Sequence, residues 1–158
     1  MQQHCNAFED GHPEQPERIK KIHEMHQDYN LIERLHHLPP RSATTDEICL
    51  AHTRSHVNMI RRIGEKDALQ DMGSKFNSVY FHSKTFDCAT MAAGSVLQVV
   101  DKVLKGEARS GICNVRPPGH HAEADVPHGF CIFNNVAIAA HYALRDHGLK
   151  RYVRSENT

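Results

Sequence analysis

The sequence predicts an α/β fold built around a parallel sheet, and three observations carry that prediction. Two short β-rich runs, Ser78 to His82 and Gly111 to Val115, flank one long amphipathic stretch from about Lys84 to Lys105. The second run empties into a loop rich in Pro and Gly. That loop leads into an Ala-rich helical stretch at 135–147. Strand, helix, strand, loop and helix in this order indicate βαβ units, in which 78–82 and 111–115 are parallel neighbours and 84–105 is a right-handed crossover. At 158 residues the chain is long enough for one domain with a substantial core and too short for two comfortable ones.

Taken in order, the first element is a helix. From Pro16 to Leu35 the residues Ile19, Ile22, Met25, Tyr29, Ile32 and Leu35 recur every three or four positions, with Pro in the first turn and Pro39-Pro40 as the stop. Thr44 to Glu47 reads as a capping box opening a short helix, and Ser55 opens another through Ile63. In helix 84–105, Phe86, Ala89, Ala93, Val96, Leu97, Val100 and Leu104 share one face, and Gly106 ends it. The run GICNV is expected as a buried strand ended by Pro117-Pro118. Helix 135–147 is stopped by Gly148. Its Val136, Ile138, Ala139 and Ala140 are expected to stay exposed and to favour self-association. Leu149 to Val153 reads as the start of a further strand, and Arg154 to Thr158 as a polar tail.

Composition excludes several function classes. Lys plus Arg equals Asp plus Glu at 19 each, so no charge excess points to nucleic acid or a membrane surface. No apolar run approaches the roughly 20 residues that span a bilayer. The opening MQQHCNAFEDGHPEQPER lacks an apolar signal core, which predicts an intracellular protein, cytoplasmic and/or nuclear. Five widely spaced cysteines without a C-x-x-C pair suit neither a disulfide framework nor a zinc finger, and most are expected reduced and buried. The fourteen histidines are scattered, so a His-rich metal buffer is the weakest functional reading. His36-His37 beside Pro39, and His52 with His56 around the break Thr53-Arg54-Ser55, read as surface or capping features.

The loop RPPGHHAEADVPHGFCIFNN, residues 116–135, is the candidate site. In α/β sheets, sites gather in loops at the carboxyl ends of strands. Two prolines fix φ and Gly119 frees it, which presents His120 and His121 rigidly. Neutral imidazole is suited to moving protons near pH 7. Two in succession let one shuttle a proton while the other, charged, stabilises a developing oxyanion. Phe130, just after Gly129, can wall a long aliphatic substrate chain. By residue type alone, a Pro-Gly loop with exposed histidines is an equal alternative.

Four anchors then carry a resemblance: HPEQPERI (His12 to Ile19), FNSVY (Phe76 to Tyr80), AAGSVL (Ala92 to Leu97), and RPPGHHAE with GFCIFNN (Arg116 to Glu123, Gly129 to Asn135). Through them the chain from Met1 to about Val153 resembles the zinc-dependent histone deacetylases. Within that family it is most similar to class IIb, above all to the second catalytic domain of the tandem-domain cytoplasmic tubulin deacetylases, to which the opening MQQHCNAFEDGHPEQPERI points. The resemblance implies an arginase/deacetylase-like three-layer α/β fold with a parallel sheet, here truncated, with 1–153 as the N-terminal portion of the domain and 154–158 as a divergent tail. It implies hydrolysis of acetyl-lysine by a zinc-activated water, on acetylated proteins such as histone tails or tubulin, with no direct nucleic-acid or membrane partner.

Carried over by position, His121 looks like the general base and acid, and His120 like its charged partner near the transition state. Phe130 and Gly129 correspond to the wall of the lysine tunnel. Ser78 matches the rim residue that holds the substrate backbone, and Arg18 matches the arginine behind the pocket on the acetate side. The family's Asp-x-His zinc motif, its distant zinc-binding Asp and its catalytic Tyr are not matched in these residues. A catalytic zinc is held by three protein ligands, so no zinc is expected to be held by this chain and no turnover is expected from it alone. A non-catalytic interaction or decoy module is the rival reading. The polyamine deacetylases carry a short acidic insert before the Pro-Glu-Arg stretch that is not seen here, which makes protein acetyl-lysine the expected substrate.

Overall fold

The computed structural model describes residues 1–9, 11–63 and 69–151, and its regular elements are helices apart from one isolated antiparallel bridge between His128 and Cys131. Helix α1 is Glu17–Asp28, followed by a 3-10 turn at Ile32–Arg34. The remaining helices are α2 at Thr45–Ile48, α3 at Arg54–Ile63, α4 at Leu69–Gly73, α5 at Thr85–Leu104 and α6 at Asn135–Asp146. The periodic run 16–35 is therefore not one helix. Asn30 takes a left-handed φ of 52°, its N–H donates to the Gln27 carbonyl, and the Leu31 N–H reaches back to His26. These two bonds close a Schellman motif, which Asn tolerates in the position usually given to Gly.

The local signals of the other helices behave as their residues dictate. At α2 the Thr44 hydroxyl accepts the Glu47 N–H at 3.2 Å while the Glu47 carboxylate accepts the Thr44 N–H at 2.7 Å. At α6 the Asn134 side chain accepts the Ala137 N–H at 3.0 Å, and Gly148 leaves the far end at φ 64°. The core gathers Ala89, Ala93 and Leu97 of α5, Ile138 and Ala139 of α6, and Val57, Ile60 and Ile63 of α3 around Phe81, Ile132 and Phe133. Each buried Leu, Ile or Phe stabilises the fold by about 1.5–3 kcal/mol.

Two expectations are corrected here. Helix α6 packs against α5 and buries Ile138 and Ala139, leaving Val136 as its exposed large apolar residue. The uncovered apolar face lies instead on α1, which buries none of its residues and shows Ile22 and Met25 to solvent. The sheet is the second correction. Neither 78–82 nor 111–115 forms a strand among the described residues, and 111–113 are exposed rather than buried, with Ile112 at 69 %, while Asn114 and Val115 are half-buried.

The reason is that a strand exists through its ladder of partners, and these segments bond elsewhere. The Ser78 carbonyl accepts from Phe130, and the Asn114 side chain donates to the Ile19 carbonyl. Residues 149–151 form no strand either, and the polar tail and the rest of that run, from residue 152, lie outside the described residues.

Candidate active-site loop

The loop begins at Arg116, which is wholly buried and whose five N–H bonds all have acceptors. Nε donates to Glu14 Oε1 at 2.9 Å, and Nη2 donates to Glu14 Oε2 at 2.6 Å and to the Tyr80 hydroxyl at 3.0 Å. Nη1 donates to the Met1 carbonyl at 2.8 Å and to the His4 carbonyl. Burial alone would raise the Glu14 carboxyl, but hydrogen bonds from Arg116 and Tyr80 outweigh it and hold the group below its usual range. His4, stacked on Tyr80 at 4.6 Å, is driven down to about 3 by burial and then by the Arg116 charge. Arg18, expected behind the pocket, is half-exposed and meets Glu14 at 3.3 Å.

From this anchor the chain passes a cis Arg116-Pro117 bond to Gly119. A Cβ there would lie 2.4 Å from the Phe133 carbonyl oxygen and 2.6 Å from the Asn135 nitrogen, so only Gly lets the loop's start touch its return. His120 and His121 follow on the surface with ring centroids 4.1 Å apart. Beneath them, the buried Cys131 sulfur accepts the His121 N–H at 3.4 Å.

Of the sequence-predicted site residues, Gly129 meets His121 and Phe130 meets Ser78, whereas Arg18 lies against Glu14. Gly129, at φ 52°, is pressed on His121, since a Cβ would stand 2.8 Å from His121 Cδ2. The Gly129 N–H donates to the Asn77 carbonyl at 3.0 Å and the Phe130 N–H to the Ser78 carbonyl at 2.7 Å. Ser78 and Phe130 both hold positive φ, 53° and 67°, a strained state for residues with side chains that is maintained by this pairing. The Phe130 ring meets His12 edge-on at 4.8 Å.

Sequence reasoning missed the groups behind the loop. His52 and His56 are buried rather than superficial, with rings stacked at 5.0 Å. Burial, then the neighbouring His56, lowers His52 to about 4, and burial lowers His56 too. No local signal marked them, because His52 lies in the bend before α3 and only His56 is on the helix. Glu14 and Arg116 were hidden for another reason: 102 residues separate them in sequence.

Chemically, the arrangement offers an exposed imidazole pair beside a half-buried aromatic wall. Zinc is a different matter. Among the described residues no three His, Cys, Asp or Glu side chains gather into a group able to hold a metal ion, so these residues do not fit the ion by themselves.

Comparison with known proteins bears on this geometry. The family model described as histone deacetylase domain matches residues 12–153. Similar relatives include the polyamine deacetylase HDAC10 of Danio rerio and that of Homo sapiens, each 42 % identical over 140 residues that cover 87 % of this chain and 21 % of the relative. Histone deacetylase 6 of Caenorhabditis elegans is 39 % identical over 154 residues, 94 % of this chain and 16 % of that protein. Among solved structures, the HDA15 HD domain superposes with a TM-score of 0.82 at 29 % identity, covering 90 % of this chain and 40 % of that one. The chain thus spans about a fifth of the length of the curated relatives it matches.

Proposed function

Because the chain belongs to the histone deacetylase domain family, we propose that it contributes the acid–base and substrate-wall portion of an active site that hydrolyses acetyl-lysine in proteins. The observation that carries this reading is the convergence of His121, Gly129, Phe130 and Ser78, held by the 2.7 Å bond between Phe130 and Ser78 and the close fit of Gly129 on His121. His121 takes the proton of the attacking water and returns it to the leaving Nζ amine, while His120 carries positive charge beside the developing oxyanion. Phe130 and Gly129 flank the aliphatic lysine stem, Ser78 holds the substrate backbone at the rim, and Arg18 serves the acetate side.

The family is zinc-dependent. Acetylated histone tails or tubulin are the proposed partners, and the cytoplasm and/or nucleus the proposed location; no helix among the described residues is long and apolar enough to cross a membrane. Segment 111–115 is proposed to join a parallel sheet of the complete domain. Its β-branched Ile112 and Val115 border a groove of about 800 Å³ against α5, which supports that reading.

The second reading, a polyamine deacetylase, is favoured by the 42 % identity to two proteins so named. One assay decides. The 158-residue chain and a form extended through the rest of the family domain are offered a fluorogenic acetyl-lysine peptide and an acetylated polyamine, each with added zinc. The expected result is turnover by the extended form alone, peptide over polyamine, abolished by His121→Ala. Preference for the polyamine would establish the second reading. Zinc-dependent turnover by the 158-residue chain, lost in His121→Ala, would overturn the proposal that its residues do not suffice.

A further inference from the structure

We propose that His52 is a positioning residue for the histidine pair, a neutral imidazole whose two ring nitrogens close the return of the 116–135 loop and whose protonation opens it. The inference rests on the reading of His120 and His121 as the acid–base pair. Its physical basis is donor and acceptor accounting at one ring.

The Asn134 N–H lies 2.8 Å from His52 Nε2, and a backbone N–H can only donate. Nε2 is therefore the unprotonated nitrogen. The single ring proton sits on Nδ1, which faces the Ala124 carbonyl at 3.3 Å. The same carbonyl accepts the Thr53 N–H at 2.8 Å, so His52 and its neighbour grip the loop together. His56 adds a parallel bond, donating from Nε2 to the Ile132 carbonyl at 2.9 Å. Ala124 and Asn134 bracket Gly129 and Phe130, the residues that pack on His121 and form the wall. Asn134 also donates from its side chain to the Ala122 carbonyl at 3.1 Å, one residue beyond His121.

A second proton on the ring has one place to go, which is Nε2. It would set two donors face to face across the 2.8 Å now spanned by a hydrogen bond. The bond becomes a repulsion, and the segment 124–134 must move to relieve it. The titratable group against the ring is His56, stacked from α3, on which Asp125 of the loop acts in turn; Glu123 meets His52 through its backbone. Phe133, the remaining ring in contact, carries no charge. Burial holds the proton off the ring at neutral pH, so the loop is closed there and opens as pH falls through about 4.

The test is a pH titration of the isotopically labelled 158-residue chain by NMR, with no acetylated substrate present. At pH 7 the His52 nitrogens should show the Nδ1–H tautomer. On acidification, the His52 ring and the Asn134, Gly129 and Phe130 amides should share one transition near pH 4 that spares the amides of α5. His52→Asn should displace the loop amides at pH 7 and abolish that transition. An Nε2–H tautomer in the wild-type chain would overturn the proposal. So would loop amides that titrate alike in His52→Asn, or a transition that α5 shares. Should His52→Asn not fold, the wild-type tautomer and the sparing of α5 still decide. None of these readouts involves turnover, so the clamp and the deacetylase reading stand or fall separately.

Discussion

At the start of the 116–135 loop a guanidinium and a carboxylate are buried together, whereas at its return two neutral imidazoles hold the backbone with one proton each. The two ends meet at Gly119, packed on Phe133 and Asn135, so they fix the same object by opposite chemistry. A buried ion pair is robust while whole, yet loss of one partner strands the other charge in a place water cannot reach. A neutral imidazole clamp strands only a carbonyl and an amide, but its integrity depends on protonation. The start of the loop is thus the stability anchor, and the return is the part that solution conditions can adjust.

The contrast is tested most severely at the anchor. Arg116→Ala leaves Glu14 buried without its guanidinium and deprives the Met1 and His4 carbonyls of their donor. The expected loss is about 3–5 kcal/mol in urea unfolding, the range for breaking one side of a buried pair. His52→Asn, at the other end, should lose about 1–3 kcal/mol, because it removes hydrogen bonds and no charge partner. Equal losses would break the comparison.

Acidification reaches both ends, the return through His52 and the start through His4 and Glu14. His52 titrates at about 4 and His4 at about 3 in the folded chain, both below the ordinary 6.5. The folded state therefore binds fewer protons than the unfolded one across that interval. The associated stability is complete above about pH 6.5 and is lost as pH falls toward the folded values, on the order of 3 kcal/mol for His52. Glu14 has the carboxylate sign: its contribution is present above the usual carboxylate range and is lost as pH falls through its depressed folded value. Unfolding free energies between pH 7.5 and 4.5 should decline through the imidazole interval first. A decline that His52→Asn leaves unchanged would assign it to His4 at the start and remove it from the return.

Legibility in the sequence follows the same divide between local and long-range chemistry. The helices at 44, 84 and 135 were readable because capping and 3.6-residue periodicity involve residues a few positions apart. The helix expected to open at Ser55 instead starts at Arg54 and has Thr53, which accepts the His56 N–H at 3.2 Å, in the capping role. The convergence of Ser78 with His121 and Phe130 was reached through the anchors of a family resemblance, since nothing local relates residues this far apart. Asn30 as a helix stop was readable in principle and missed. The buried state of His52, His56, Glu14 and Arg116 was not readable, because a polar side chain in isolation reads as exposed until its distant partner is known. The expected sheet is absent among the described residues for a related reason: β-rich composition at 111–115 states a preference, while pairing requires a neighbour.

A smaller effect probes what lies between the two ends. Gly129→Ala would bring a Cβ within 2.8 Å of His121 Cδ2 at a φ of 52°, where side chains are disfavoured by roughly 1–2 kcal/mol. Unfolding should register that cost, and the His121 ring resonances should shift while those of His52 hold. Movement of both would mean that the centre of the loop and its return are one rigid piece.

Ser78→Ala should have the smallest structural effect of all. Its exposed hydroxyl donates only to the adjacent Asn77 side chain, at 3.1 Å, whereas its backbone carbonyl holds Phe130. Removing the hydroxyl leaves that carbonyl in place, so stability should change by no more than about 0.5 kcal/mol, as for other surface substitutions. Its proposed role is to hold the substrate backbone from the rim. In a form extended through the whole domain, the substitution should therefore raise KM for an acetyl-lysine peptide while sparing the fold. Steady-state kinetics beside a urea titration give both values. Lost stability with unchanged KM would assign Ser78 to the scaffold of the wall and remove it from the substrate rim.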